Sequence, residues 1–274
     1  MSRIGGGTRL YAVLGSPITH SLSPALHNAA FRAEGRDAIY LACDVGADEL
    51  DLAIRGLQSL GAVGANLTAP LKERALEAGF ALTDAAREAG AVNTVRLEGE
   101  PIGHNTDGEG LARFLERHDV TLQGARVVFL GAGGAVRGIA PVFVRRGVES
   151  IAAVIRGPRH AIPGVEFAHE AYATRAALES ATLVVQATPL GGAEGDPLPA
   201  PAEWVPQSAT AVDLRYHPAA TPWLLALRAR GVRAANGLGM LIEQALLAQE
   251  FWHGTTPPRT ALEEAVEWSD PFRA

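Results

Sequence analysis

A short apolar run, Arg126-Val-Val-Phe-Leu130, leads without a break into Gly131-Ala132-Gly133-Gly134-Ala135 and then into a helical stretch reaching Arg146. A run of this length, rich in β-branched and aromatic residues and bounded by glycine, reads as a buried strand. A strand that turns on glycine straight into a helix is half of a strand–helix–strand unit, and such units build parallel sheets. Similar runs recur at Ile151–Ile155, Thr182–Gln186 and Thr210–Leu214, so this part of the chain is expected to be doubly wound.

The glycines also suit a ligand. Gly131 allows the tight turn, Gly133 lets the backbone approach a pyrophosphate, and Ala132, Gly134 and Ala135 open a helix whose amides and dipole favour an anion. The sixth position is Val136, where glycine or alanine is usual, so Ala135 and Gly138 are expected to give the close helix–strand packing. At the end of the next strand the chain reads Val154-Ile-Arg156-Gly-Pro-Arg159-His160, with no acid to hold an adenosine ribose. Two arginines there suit a 2′-phosphate, which points to NADP.

With 274 residues the chain exceeds the usual reach of one hydrophobic core, and two domains are expected. The first half alternates in the same manner. A strand at Leu10–Leu14 precedes a helix from Ser23, with a capping serine, Pro24 at its first position and Gly35 beyond its end. A strand at Ile39–Asp44, a helix over Asp48–Leu60 and a strand at Val63–Leu67 follow, then a helix from Pro70 that carries Lys72 in its first turn. Asn93–Leu97 is strand-like, a helix over Gly108–Arg117 leads towards the second domain, and Pro141 is expected to kink the helix after the glycine turn. Two helices, one through Trp252 and one over Thr260–Trp268, close the chain.

Several classes are excluded by composition. A net charge of -6 without a basic stripe argues against nucleic acid. No window approaches the roughly 20 apolar residues that cross a membrane, and Met1–Thr8 lacks the apolar core of a signal peptide. The lone cysteine, Cys43, lies in a strand-like run and reads as an inert thiol of a reducing, cytoplasmic setting. The eight histidines never pair with cysteine at ligand spacing, so no metal is expected.

What chemistry remains is carried by one lysine and one aspartate. Lys72 and Asp107 stand among Asn66, Thr68, Asn93, Asn105 and Thr106, short polar side chains at predicted strand ends, where open α/β sheets present ligands. A lysine over a carbonyl oxygen stabilises developing negative charge and delivers a proton, and a carboxylate accepting from both ammonium and hydroxyl orients them. The set suits a polyhydroxylated small molecule.

These motifs, in this order, resemble the shikimate dehydrogenase family over essentially the whole length. Val13-Leu-Gly-Ser-Pro-Ile-Thr-His-Ser21-Leu-Ser23-Pro-Ala-Leu-His27-Asn28, Asn66-Leu-Thr68-Ala-Pro-Leu-Lys72, Gly90-Ala-Val-Asn93-Thr94, Asn105-Thr-Asp107-Gly108, Asp213-Leu-Arg-Tyr216 and Gly237-Leu-Gly-Met240-Leu-Ile-Glu-Gln244 carry the likeness. The resemblance implies an α/β fold in two domains: a substrate domain of residues 1–107 and 239–274, and a Rossmann domain of residues 108–238 that binds NADP. It implies reversible NADPH-dependent reduction of 3-dehydroshikimate to shikimate, with a quinate/shikimate enzyme of broader specificity or a catalytically silent NADP-binding protein as alternatives. Lys72 and Asp107 would be catalytic. Ser21 and Ser23 would hold the substrate carboxylate, with Asn66, Thr68, Asn93, Tyr216 and Gln244 around the ring. Thr188, Leu214, Gly237 and Met240 would join the glycine turn, Arg156 and Arg159 at the cofactor, with Asp84 nearby. A monomer or a homodimer is expected.

The family pattern is not followed everywhere. Ile155 and Gly157 replace an asparagine and a threonine on either side of Arg156, which leaves Arg156 as the main phosphate anchor, and Gln186 stands where asparagine is typical.

Overall fold

The computed structural model describes residues 4–155, 157, 161–168, 171–192 and 195–272, with the side chains of residues 171–173 set aside. The chain divides into two compact units, Met1–Gly110 with Leu241–Trp268, and Leu111–Met240 with Ser269–Ala274.

In the first unit β1 (Arg9–Gly15) is followed by α1 (Ser23–Ala33), β2 (Ala38–Asp44), a short 3-10 turn, α2 (Leu50–Ser59), β3 (Gly64–Leu67), α3 (Leu71–Arg74), β4 (Ala81–Leu82), α4 (Asp84–Ala89), β5 (Thr94–Arg96) and β6 (Ile102–His104). Its six strands take the order β2-β1-β3-β5-β6-β4. β1 pairs with β2 and β3 in parallel, whereas β5 runs antiparallel to both β3 and β6. The sheet is therefore mixed, but β4 also pairs with β6 in parallel, so three of its five pairings are parallel and the mainly parallel pattern read from the sequence holds. The short connection from β5 to β6 leaves no room for a crossover helix, and a chain that turns back directly must pair antiparallel.

Leu14, Leu50, Ile54, Leu67, Leu71 and Val95 form one layer of its core, and Tyr11, Phe31, Tyr40, Val63 and Trp252 form the other. Trp252 donates its indole N–H to the Val95 carbonyl at 3.0 Å. Gly64 is required by that indole: a Cβ at position 64 would stand 2.5 Å from the Trp252 ring nitrogen.

The α1 start differs in detail from its sequence reading. Ser23 is already helical, and it is the Ser21 hydroxyl that accepts the Ser23 N–H, at 3.3 Å. The stop is as read, with Gly35 in the left-handed region at φ +65°.

The second unit follows α5 (Asp107–Arg117), in which the division between units falls. It comprises β7 (Arg126–Leu130), α6 (Gly134–Arg145), β8 (Ser150–Val154), β9 (Glu166–Ala168), α7 (Ala171–Ser180), β10 (Leu183–Gln186), β11 (Thr210–Asp213), α8 (Pro222–Ala229) and β12 (Arg233–Asn236). α9 (Leu238–His253) then leads back to the first unit, which α10 (Arg259–Ala265) completes.

All five pairings of its six-stranded sheet, ordered β12-β11-β10-β7-β8-β9, are parallel. That order, built outwards in both directions from β7 and β10, is the doubly wound arrangement. α6 continues unbroken through Pro141. The proline removes one donor, and the buried Ile139, Ala140, Val142 and Phe143 hold the helix on its sheet. The last described residues pack in this unit and not in the first, where the sequence reading puts them. Phe272 stacks on Phe114 at 5.6 Å and lies under the Arg233 guanidinium at 4.4 Å.

Candidate functional site

Parallel β1 and β3 end side by side, with Leu14 in register with Leu67. β6 ends at His104 on the same edge, because it runs antiparallel to β5, which itself runs antiparallel to β3. The reversal of β5 brings its beginning, not its end, to that edge, and so presents Asn93 and Thr94 beside Asn66, their register partner. Four chain segments thus deliver short polar side chains to one line.

Lys72 is placed by α3, which the buried Leu71 anchors and whose Lys72 carbonyl accepts the Val92 N–H at 2.8 Å. Its ammonium lies 2.7 Å from Asp107 Oδ2. Asp107 is buried and opens α5, and its backbone N–H is held by Asn105 Oδ1 at 3.0 Å. Asn105 in turn donates to the Ala91 carbonyl at 2.9 Å. The other carboxylate oxygen, Oδ1, accepts from Asn93 Nδ2 at 2.8 Å. Both carboxylate oxygens are acceptors, each from a donor on a different segment, so the pair is held at both ends.

Asn66 completes this layer, donating to the Asn93 carbonyl at 3.1 Å and to Thr94 Oγ1 at 3.0 Å. Gln244 lies on α9 against the first turn of α5, where a Cβ on Gly110 would stand 2.9 Å from Gln244 Cβ. Thr68 stands at the end of β3 with its methyl over Gly15: a Cβ at 15 would lie 2.3 Å from Thr68 Cγ2, so only glycine lets these two strand ends approach. Ser21 and Ser23 follow β1 on the same edge, the Ser21 hydroxyl accepting from Ser23 and keeping its own proton to donate.

In the second unit the glycine turn lies between neighbouring strands. The Gly131 N–H donates to the Val154 carbonyl and the Ala187 N–H to the Leu130 carbonyl, each at 2.9 Å. Gly131 has φ +101°, and a Cβ there would meet Thr188 Cγ2 at 2.8 Å. A Cβ on Gly133 would meet nothing within 4 Å. The first residue demands glycine for the fold; the second leaves space at the start of α6, where unpaired amides face outwards. This turn fits the pyrophosphate of a dinucleotide.

Beside it, the buried Gln186 folds residues 187–190 into a turn, accepting from Thr188 N and Thr188 Oγ1 at 3.0 Å and donating to the Leu190 carbonyl at 3.0 Å. Leu214 and Gly237 are in contact, a Cβ on Gly237 falling 2.2 Å from the Leu214 carbonyl oxygen. Met240 is buried and Tyr216 half-buried.

Arg156 and Arg159 lie outside the described residues. Asp84 is highly exposed at the start of α4 and pairs with Arg87. Among the described residues no cluster of His, Cys, Asp or Glu could hold a metal ion, and no helix is long and apolar enough to cross a membrane. One participant escapes a reading by motif: the hydroxyl of Tyr40, on β2, donates to Asn66 Oδ1 at 2.7 Å. A tyrosine in a strand reads as packing, and nothing in its spacing marks it.

The family model described as Shikimate dehydrogenase substrate binding domain matches residues 13–95, and that of the Shikimate 5'-dehydrogenase C-terminal domain matches residues 237–267. The chain is 37% identical to the shikimate dehydrogenase (NADP(+)) of Rubrobacter xylanophilus, over 96% of its own length and 97% of that protein's. The chain belongs to the shikimate dehydrogenase family.

Solved structures of this family agree. The enzyme of Aquifex aeolicus superposes with a TM-score of 0.90 at 30% identity, covering 97% of this chain and 100% of that one. The enzyme of Thermus thermophilus, solved in complex with NADP(H) and shikimate, gives 0.85 at 34% identity, covering 95% and 99%.

Proposed function

We propose that the protein is an NADP-dependent shikimate dehydrogenase, interconverting 3-dehydroshikimate and shikimate in aromatic amino-acid biosynthesis. The observation that carries the reading is the Lys72–Asp107 pair, bridged at 2.7 Å and braced by Asn93 on the edge where the strands of the first unit end.

NADP supplies or accepts the hydride when bound. The chain's own residues do the rest. Lys72 directs its ammonium at the oxygen of the reacting carbon, stabilises the charge that develops there and passes the proton. Asp107 accepts from Lys72 and from a ring hydroxyl, so it orients ammonium and substrate together. Ser21 and Ser23 donate to the substrate carboxylate, each such bond to a charged acceptor contributing about 1.5–3 kcal/mol. Asn66, Thr68, Asn93, Gln244 and Tyr216 surround the remaining hydroxyls. The glycine turn with Thr188 holds the pyrophosphate, Leu214, Gly237 and Met240 line the nicotinamide pocket, and Arg156 with Arg159 takes the 2′-phosphate.

A cytoplasmic setting suits the single free cysteine. The working form is a monomer or a homodimer.

Absorbance at the nicotinamide band, with shikimate or quinate as substrate and NADP or NAD as cofactor, tests the reading. Turnover is expected with shikimate and NADP. Equal kcat/KM on quinate would make the enzyme a broader polyol-acid dehydrogenase, and silence in all four mixtures would overturn the reading.

A further inference from the structure

The site is joined to a buried tyrosine by hydrogen bonds whose direction is fixed at every step. Asn66 Nδ2 faces the Asn93 backbone carbonyl, which can only accept, so the amide nitrogen is on that side and Oδ1 faces Tyr40. The Tyr40 hydroxyl therefore donates to Asn66. The second proton of Asn66 Nδ2 goes to Thr94 Oγ1 at 3.0 Å, which leaves the Thr94 proton for Asn93 Oδ1 at 2.9 Å. Asn93 is oriented independently: its Oδ1 accepts the Thr106 backbone N–H at 2.9 Å, which can only donate. Its Nδ2 must then face Asp107 Oδ1. Tyr40, Asn66, Thr94 and Asn93 thus donate in sequence, and the series ends on the carboxylate that holds Lys72.

We propose that Tyr40 is a positioning residue for the Lys72–Asp107 pair, acting through Asn66, Thr94 and Asn93. The inference rests on the shikimate dehydrogenase reading. Tyr40 touches neither member of the pair. It is 1% exposed, and its ring stacks on His27 at 4.3 Å and 12°. The stack holds the ring while the hydroxyl faces Asn66. Burial pushes the phenol well above its ordinary pKa, so the group stays protonated and a donor. Without that hydroxyl, Asn66 Oδ1 is buried with no donor, and the amide is held from its Nδ2 side alone. Asn66 is then less firmly seated, the slack passes through Thr94 to Asn93, and Asp107 is held less firmly at the atom that faces Asn93.

The test is steady-state kinetics of Tyr40→Phe, Thr94→Val, the double variant and Thr94→Ser on shikimate and NADP, with melting curves of each. Tyr40→Phe and Thr94→Val are each expected to lower kcat roughly 5- to 20-fold while KM for shikimate moves less than about 2-fold. The double variant should be no slower than the worse single one, because both cut one path. Thr94→Ser, which keeps the hydroxyl, should stay within about 2-fold of wild type.

Wild-type kcat in Tyr40→Phe, or losses that multiply in the double variant, would overturn the proposal. Should Tyr40→Phe fail to fold, Thr94→Val decides: unchanged kcat there leaves no side-chain path from Tyr40 to Asp107. Absence of turnover in the wild type itself would remove the functional reading and this inference with it, whereas an active wild type with an equally active Tyr40→Phe removes the inference alone.

Discussion

Lys72 and Asp107 share a 2.7 Å hydrogen bond but differ in exposure: 4% of the Asp107 side chain is accessible and 18% of the Lys72 side chain. The carboxylate is fixed from below by Asn93 and from its own backbone by Asn105, so it cannot follow the solvent. The ammonium is the member that a ligand can reach. Lys72→Met keeps the length of the stem and removes the charge. It is expected to lower kcat roughly 10²–10⁴-fold with little change in KM for shikimate. Turnover near that of wild type would take Lys72 out of the chemistry.

The two glycines at the start of α6 make opposite predictions. Gly131→Ala places a Cβ 2.8 Å from Thr188 Cγ2 on a backbone with φ +101°, so the fold must yield. A loss of stability of about 1–3 kcal/mol is expected, read as a lower Tm of the protein without cofactor. Gly133→Ala meets nothing within 4 Å, and its φ of -87° suits alanine. Its Tm should match wild type while KM for NADP rises about 10-fold or more, because in the proposed reading the methyl fills the space a pyrophosphate would take. A KM for NADP unaltered by Gly133→Ala would show that the cofactor does not approach this turn.

Legibility in the sequence followed signal length. Arg126–Leu130 is the strand observed, since five apolar residues bounded by a glycine turn admit little else. β4 and β6, of two and three residues, are too short for alternation to show. Gly103 inside β6 speaks against a strand until its neighbours are seen: a Cβ there would stand 3.0 Å from both Leu82 and Val92. β12 is two alanines between arginine and asparagine, residues with weak strand preference that tertiary burial overrides.

Of the site, Lys72, Asp107 and Asn93 were legible because lysine, aspartate and asparagine near strand ends carry chemistry. Tyr40 was not, since its role lies in one hydroxyl whose direction only the neighbouring amides reveal. At the α8 start Thr221 accepts the Leu224 N–H at 3.3 Å and donates to Asp213 Oδ2 at 2.9 Å, tying the helix to the end of β11, a helix the sequence reading did not place.

In the proposed reading cofactor choice turns on Arg156, in the sequence Val154-Ile-Arg156-Gly that lacks an acid. Charge-assisted hydrogen bonds to a 2′-phosphate contribute about 1.5–3 kcal/mol each. Arg156→Ala is therefore expected to raise KM for NADP roughly 10- to 100-fold and to leave KM for NAD almost unchanged. Equal changes with both cofactors would show that the 2′-phosphate is recognised elsewhere.

His27 gives the stability of the first unit a pH dependence of known sign. The ring is fully buried between Tyr40 and Trp252, and its Nδ1 is 2.8 Å from Gln249 Nε2. Burial, with a smaller contribution from His253, lowers its pKa from 6.5 to about 3. His104 and His253 are lowered as well, in each case chiefly by burial. Between those two values the unfolded chain binds a proton at His27 that the native state refuses. The contribution is thus complete above pH 6.5 and is lost as pH falls towards 3.

At pH 5 this single group costs about 2 kcal/mol relative to neutral pH, since each pH unit in the window is worth about 1.4 kcal/mol. His27→Phe keeps an aromatic ring against Tyr40 and cannot titrate. Its unfolding free energy, measured in urea, should therefore fall less between pH 7.5 and pH 5 than that of wild type, by about 2 kcal/mol. Parallel pH curves for the two proteins would mean that His27 takes up its proton without unfolding the pocket.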